Sequence, residues 1–205
     1  MLTSNKKAGA ATPANTSRPL ATSIYRITKK LDASKFSGPR VFIAGKIRRN
    51  CFRHDLAPNL RSAGSGKFAL QCDGFTYVGP FMDACDHGCR HGAGSHGVLG
   101  VPGFGCEGAA TSREDVYRRN QFGIQIADLV VAYIDAPDCY GTIFELGFAA
   151  SNGIPYVVLF APGIDISDFW YLQQSQAKFR APHVVSRKKL PSVFADILAQ
   201  WRAAQ

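Results

Sequence analysis

The alternation "DLVVAYID", "TIFELGFAASNG", "PYVVLFAP" between residues 128 and 162 constrains this chain more than any other feature. The first and last segments are short, nearly continuous apolar runs rich in β-branched residues, the signature of strands buried on both faces. The middle segment predicts a helix that closes at Asn152-Gly153 and stops before Pro155. Upstream, "RVFIAGKI" (40–47) and "FTYVGPF" (75–81) predict two further strands, and "SREDVYRRNQFGIQIADLV" predicts a helix with Val116, Phe122 or Gly123 and Ile126 on its apolar face. "LPSVFADILAQWRAA" predicts a last amphipathic helix. Strand and helix in alternation mean an α/β protein with a doubly wound parallel sheet of about five strands, whose ligands bind beyond the carboxyl ends of the strands.

The chain has 205 residues, 46% of them hydrophobic and 19% charged, which suits one α/β domain with a real core. No run approaches the roughly 18 apolar residues of a membrane span, and the first residues lack a secretory signal's apolar stretch, so the expected location is cytoplasmic. Of the net charge of +9, six cations without an acid fall in residues 1–31, leaving +3 elsewhere. Residues 1–38 therefore read as a flexible basic tail, a composition shared by transit peptides and nucleic-acid-binding arms, and 39–205 as a single domain. The domain has no aromatic-plus-basic platform, so nucleic acid is not expected as a partner, and the lack of a long apolar run gives the same expectation for a membrane. "RSAGSGKFAL" lacks the spacing and the hydroxyl residue of a phosphate-binding loop and reads as an ordinary turn.

Residues 83–115 form a glycine-rich insertion loop, longer than ordinary connections, and loops of that length tend to be functional. It carries Cys85, Asp86, His87, Cys89, His91 and Cys106. Such a set suits a structural zinc site built from Cys85, Cys89, His91 and Cys106, though Cys-x-His-x-Cys-x-His is tighter than usual ligand spacing. It also suits a lid in which Asp86 and His87 touch a substrate, or a plain surface loop. No cofactor is required by either of the last two readings.

Glu145 falls near the carboxyl edge of the predicted sheet, on what the pattern makes the first turn of a helix. It reads either as a solvated acid complementing the helix dipole or as an acid used in chemistry, because Phe144 and Leu146 beside it look buried and Gly147 allows close approach. Asp135 ends the preceding strand, Asp128 begins it, and residues 136–142, with Gly141 and Thr142, make the loop before the helix.

"ADLVVAYIDAPDCYGTIFELGFAASNGIPYVVLF", together with "VFIAG" at the first strand, resembles the nucleoside 2-deoxyribosyltransferase family over roughly residues 40–160, with the Asp–Cys–Tyr–Gly–Thr–x–x–Glu–Leu–Gly core its specific part. The resemblance implies a flavodoxin-like sheet, Glu145 as the nucleophile that attacks C1′ of a deoxyribose, and an oligomer, a homodimer or larger, acting on nucleosides and nucleobases. The family holds the sugar with an aspartate six residues before the nucleophile. Here that position is Cys139, and Asp138, seven before, takes the role or else caps the turn. At the place of a base-contacting aspartate stands Asn120, an amide that orients a base but cannot act as an ordinary general acid; His87 or His91 then becomes a candidate for that proton. Gly45 is expected to admit the substrate at the first strand, Tyr77 with Gly79 and Pro80 to wall the base pocket, and Arg118 and Arg119 to lie nearby. "DFWYLQQSQA" (168–177) reads as a pocket flap or a subunit contact. Two other functions fit the same residues: a nucleoside 5′-monophosphate N-glycosidase, and a non-catalytic nucleotide-sensing or zinc-stabilised binding module.

Overall fold

The computed structural model of the chain describes residues 37–47, 51–62, 69–80, 113–174, 179–181 and 183–205. The tail through residue 36, residues 63–68 and the insertion up to residue 112 lie outside them, while residues 113–115, assigned from the sequence to the insertion loop, belong instead to the helix that starts at Arg113. Among the described residues the order is β1 (Arg40–Ala44), α1 (Arg53–Leu56), a 3₁₀ turn (Pro58–Ser62), β2 (Leu70–Cys72), β3 (Phe75–Gly79), α2 (Arg113–Gln125), β4 (Leu129–Ile134), α3 (Tyr140–Ser151), β5 (Tyr156–Phe160), a 3₁₀ turn (Ile166–Phe169), α4 (Trp170–Gln174) and α5 (Leu190–Ala203).

The five strands make one sheet in the order β2-β3-β1-β4-β5. β1 runs parallel to both β3 and β4, β4 runs parallel to β5, and only β2 is antiparallel, hairpinned onto β3. Taken alone, the parallel strands follow an order consistent with a flavodoxin-like arrangement. Register is set by apolar side chains with no polar face to expose: Val41, Phe42, Ile43 and Ala44 oppose Leu129, Val130, Val131 and Ala132, and Val130 through Ile134 oppose Tyr156 through Phe160. Every residue of β4 and β5 is buried, so the uninterrupted apolar runs follow from helices covering both faces.

Alternation along the strands divides the core. Val41, Ile43, Leu129, Val131, Tyr133, Val157 and Leu159 meet Phe52 and Leu56 near α1 and Leu190, Phe194, Ile197 and Leu198 of α5. Phe52 meets Tyr133 edge-on at 5.0 Å, and Phe75 meets Phe194 likewise at 5.0 Å. α2 and α3 pack against each other, α2 also on β3 and α3 on β1, β4 and β5. The strand starts are tied by Asp128, which accepts from the Arg40 backbone at 2.8 Å and from its guanidinium at 3.0 and 2.5 Å. Burial pulls the Asp128 carboxyl upward, but the hydrogen bonds and charge of Arg40 outweigh it and hold the group below its ordinary value. Beyond β5, residue 184 forms a parallel bridge to Phe160, with Phe160 donating to the His183 carbonyl and Val185 to that of Phe160, both at 2.8 Å.

α2 reaches the sheet through Gly123. A Cβ there would lie 2.4 Å from the Val78 carbonyl oxygen and 3.2 Å from the Phe42 ring, so the helix sits closer than any side chain allows. Gly147 on α3 is exposed, and a Cβ would meet nothing within 4 Å. The expected close approach at Gly147 is therefore corrected: its glycine serves no packing that the described residues reveal. Gly123→Ala is expected to destabilise the protein by about 1–3 kcal/mol, whereas Gly147→Ala is expected to be neutral or stabilising by up to about 1 kcal/mol through helix propensity. Denaturant unfolding of the two variants checks both, and equal losses would contradict this account of the packing.

Candidate active site

β1 and β4 are neighbours whose connections leave in opposite directions, β1 toward α1 on one face and β4 toward α3 on the other. Such a divergence opens a crevice at the carboxyl edge of a parallel sheet. The β1 side is built around Arg53, which is 0% exposed. Its Nε donates to the Ile43 carbonyl at 2.7 Å, Nη2 to that of Gly45 at 2.5 Å, and Nη1 to that of Lys46 at 3.3 Å and to the Cys51 sulfur at 3.6 Å. The guanidinium carbon also sits 4.9 Å from the centroid of the Phe52 ring. A rigid fork with five N–H groups suits this task, since carbonyls at a strand end point in several directions and have lost their ladder partners.

Gly45 adopts φ +150°, and a Cβ would fall 2.7 Å from the Phe52 ring and 2.8 Å from the Tyr133 carbonyl oxygen. The close neighbours that require this glycine are thus the protein's own ring and backbone. Lys46, next along, hydrogen-bonds and ion-pairs with Asp138 on the β4–α3 connection. The pair spans the crevice, and both side chains remain reachable by water, at 37% and 55% exposure.

On the β4 side the helix begins earlier than the sequence pattern suggests. Cys139 is the N-cap, its carbonyl accepting from Ile143 at 3.1 Å, and α3 starts at Tyr140. Gly141 and Thr142 consequently lie within the first turn of the helix, correcting their assignment to the loop. Thr142 is buried, while Gly141 is exposed with open space where a Cβ would be. Glu145 moves to the second turn, where the backbone N–H groups are already bonded, so the expected dipole complementation at a first-turn position does not apply. Of its neighbours Leu146 is fully buried as expected, but Phe144 is 54% exposed and leans on Tyr117 of α2 at 6.1 Å.

Glu145 itself keeps a small exposed fraction while its carboxyl group is enclosed. Asn120 of α2 donates its side-chain amide to Oε1 at 3.4 Å, bringing together two of the residues singled out in the sequence. Burial pushes the Glu145 carboxyl up to about 7, with the positive charge of Arg53 pulling the other way. The arrangement supplies a desolvated carboxylate near neutrality, oriented by an amide and countered by a buried cation. Such a group can act as a nucleophile or exchange a proton.

Asp135 directly follows β4 and is partly buried, and its charge acts on both Cys139 and Arg187. Cys139 is buried, which raises its thiol despite the helix start, and Asp138 and Asp135 add to the rise. Tyr77 is fully buried in the core and donates its hydroxyl to the Pro80 carbonyl. Its ring packs with Val41, Ile43 and Phe75 rather than standing open as a wall. Arg118 is exposed and Arg119 partly so; Trp170 and Tyr171 are exposed, their rings edge-to-face at 5.6 Å. Asp86, His87, Cys85, Cys89, His91 and Cys106 lie outside the described residues. Among the described residues no cluster of three His, Cys, Asp or Glu could hold a metal, and no helix is long and apolar enough to cross a membrane. Cys51, Cys72 and Cys139 are buried free thiols.

Arg53 and Lys46 are the two residues of this crevice that sequence reasoning missed. An arginine inside "CFRHDL", just past the first strand and flanked by apolar residues, was the available signal for Arg53. The chain matches no protein-family model, and no curated protein matches it.

A glutamate lifted to about 7 binds a proton in the folded protein that it has lost in the unfolded chain at the same pH. Its contribution to stability is therefore present below the ordinary value of 4.5 and is lost as pH rises toward 7. Glu145→Gln is expected to unfold at a higher temperature than wild type at pH 8, by the equivalent of at most about 3 kcal/mol, with most of that gain gone at pH 5. Thermal melts at the two pH values check it; a gain independent of pH would contradict the enclosed carboxylate.

Proposed function

We propose that the chain cleaves or transfers the N-glycosidic bond of 2′-deoxynucleosides through a covalent glycosyl-enzyme intermediate on Glu145. The observation that carries this reading is the enclosed Glu145 carboxyl, bonded to the Asn120 amide beside the crevice where β1 and β4 diverge. The family resemblance of the "YGTIFELG" stretch supplies the reaction, and the flavodoxin-like, doubly wound sheet with its long insertion is the finer fold reading that goes with it.

In the first step a Glu145 oxygen bonds to C1′, the bond from C1′ to the base nitrogen breaks, and the electron pair leaves with the base, which takes up a proton from water. In the second step a water or another base attacks C1′ from the opposite side, the ester bond to Glu145 breaks to return the carboxylate, and the attacking group gives up its proton to water. The lack of a 2′-hydroxyl eases positive charge at C1′, and a carboxylate stripped of water meets that charge without reorganising solvent. Asn120 fixes the carboxylate's direction, and Asp138 holds the sugar. By the same resemblance the working form is a homodimer or larger. A nucleoside 5′-monophosphate is a second reading of the substrate, favoured by one observation: Lys46 offsets the Asp138 charge that would otherwise repel a phosphate.

Because the nucleophile must be ionised, kcat/KM for base release from deoxynucleosides is expected to rise with pH and level off above about 7. Glu145→Gln is expected to lower turnover by at least about 10³-fold, roughly 4 kcal/mol of transition-state stabilisation. Chromatography of deoxynucleosides incubated with and without an acceptor base follows release and exchange. Unchanged turnover in the variant, or no base release by wild type, would overturn the proposal.

A further inference from the structure

Lys46 has no part in the nucleoside reaction described above, yet its place is built. The carbonyl of Lys46 is held at 3.3 Å by Arg53, whose side chain is wholly buried, and the preceding Gly45 carbonyl is held by the same guanidinium at 2.5 Å. The glycine in turn has no room for a side chain, since a Cβ there would meet the Phe52 ring and the Tyr133 carbonyl oxygen. The lysine therefore leaves the sheet from a fixed backbone, and its ammonium meets Asp138 from the opposite wall of the crevice, 92 residues away in sequence.

An exposed ion pair of this kind contributes little to folding, typically less than about 1 kcal/mol, so stability gives it no strong reason to span this gap. What the pair offers chemically is a donor and an acceptor side by side. An ammonium has three hydrogens, so pairing with one carboxylate leaves it able to donate to another acceptor, and a carboxylate accepts several hydrogen bonds at once. A hydroxyl matches both, since it donates one hydrogen and accepts through its oxygen. A phosphate would match only the lysine, and an apolar group would match neither.

We infer that Lys46 is a specificity-determining residue that, together with Asp138, grips one sugar hydroxyl of the substrate from both walls of the crevice. The inference rests on the nucleoside reading of the Glu145 site and adds to it a second hydrogen-bonding partner for the sugar, on the β1 side.

The test is a cycle between ligand and protein, measured as equilibrium binding by calorimetry in the full-length Glu145→Gln background, where no ligand is consumed. The ligands are 2′-deoxyadenosine, 2′,5′-dideoxyadenosine, 2′,3′-dideoxyadenosine and 2′-deoxyadenosine 5′-monophosphate. With Lys46 present, loss of the gripped hydroxyl is expected to weaken binding about tenfold or more, as for hydrogen bonds to charged groups. In Lys46→Met the same loss is expected to shrink to about threefold or less, with Lys46→Arg in between and the exposed Lys188→Met behaving as the parent. Equal losses with and without Lys46 would overturn its role while leaving the nucleoside reading intact. A Lys46 dependence confined to the monophosphate would overturn the hydroxyl grip in favour of phosphate recognition. Failure of every ligand to bind would remove the substrate class and this inference together, whereas turnover unaffected by Glu145→Gln would remove the reaction alone.

Discussion

A guanidinium with no solvent exposure must spend its hydrogens inside the protein, and Arg53 spends them on the carbonyl end of the first strand. An isolated cation would be expensive in such a place; here three backbone carbonyls and an aromatic face surround it. The consequence is a connection after β1 whose shape is fixed by side-chain chemistry and not by regular secondary structure. Gly45, Lys46 and the short α1 hold their positions because of it. The positive charge also reaches Glu145 and Tyr77, so a single buried residue shapes one wall of the crevice and tempers the acid on the other.

The electrostatics of the rim and of the interior differ in kind. At the rim, Lys46–Asp138 and Arg187–Asp55 are solvated pairs that exchange partners at little cost. Within, Glu145 has an amide at 3.4 Å and a cation acting on it more remotely, so its charge is tolerated only with difficulty. A fold selected for stability alone would have no reason to keep an acid there, and that tension is the physical basis for reading Glu145 as functional. Asn120 sits on a different helix from Glu145, and the close approach of α2 to the sheet at Gly123 helps to bring that helix within reach.

What was legible in the sequence follows the strength of local patterns. β4 and β5 announced themselves because strands buried on both faces leave almost no polar residue in the run, and α5 because Pro191 and its apolar spacing mark both start and face. The start of α3 was misplaced by two to three residues because Cys139 caps it without any side-chain hydrogen bond, leaving none of the usual Ser, Thr, Asp or Asn signals to read. That small error put Glu145 on the wrong turn and Gly141 and Thr142 in the wrong element. β2 and α1, at three and four residues, are too short for periodicity to register. The Lys46–Asp138 contact joins two loops that only the topology brings together, and nothing local foretells it.

Among the described residues the two margins of the sheet are both short. β2 closes one side with three residues, and the segment around Val184 closes the other with a single bridge to β5. A parallel sheet with long free margins invites strands of other molecules to dock along its unpaired amides. Here the central strands are covered by helices above and below and flanked at each side by a stub that offers few such groups. Among the described residues, strand pairing between molecules therefore finds few unpaired amides along either margin.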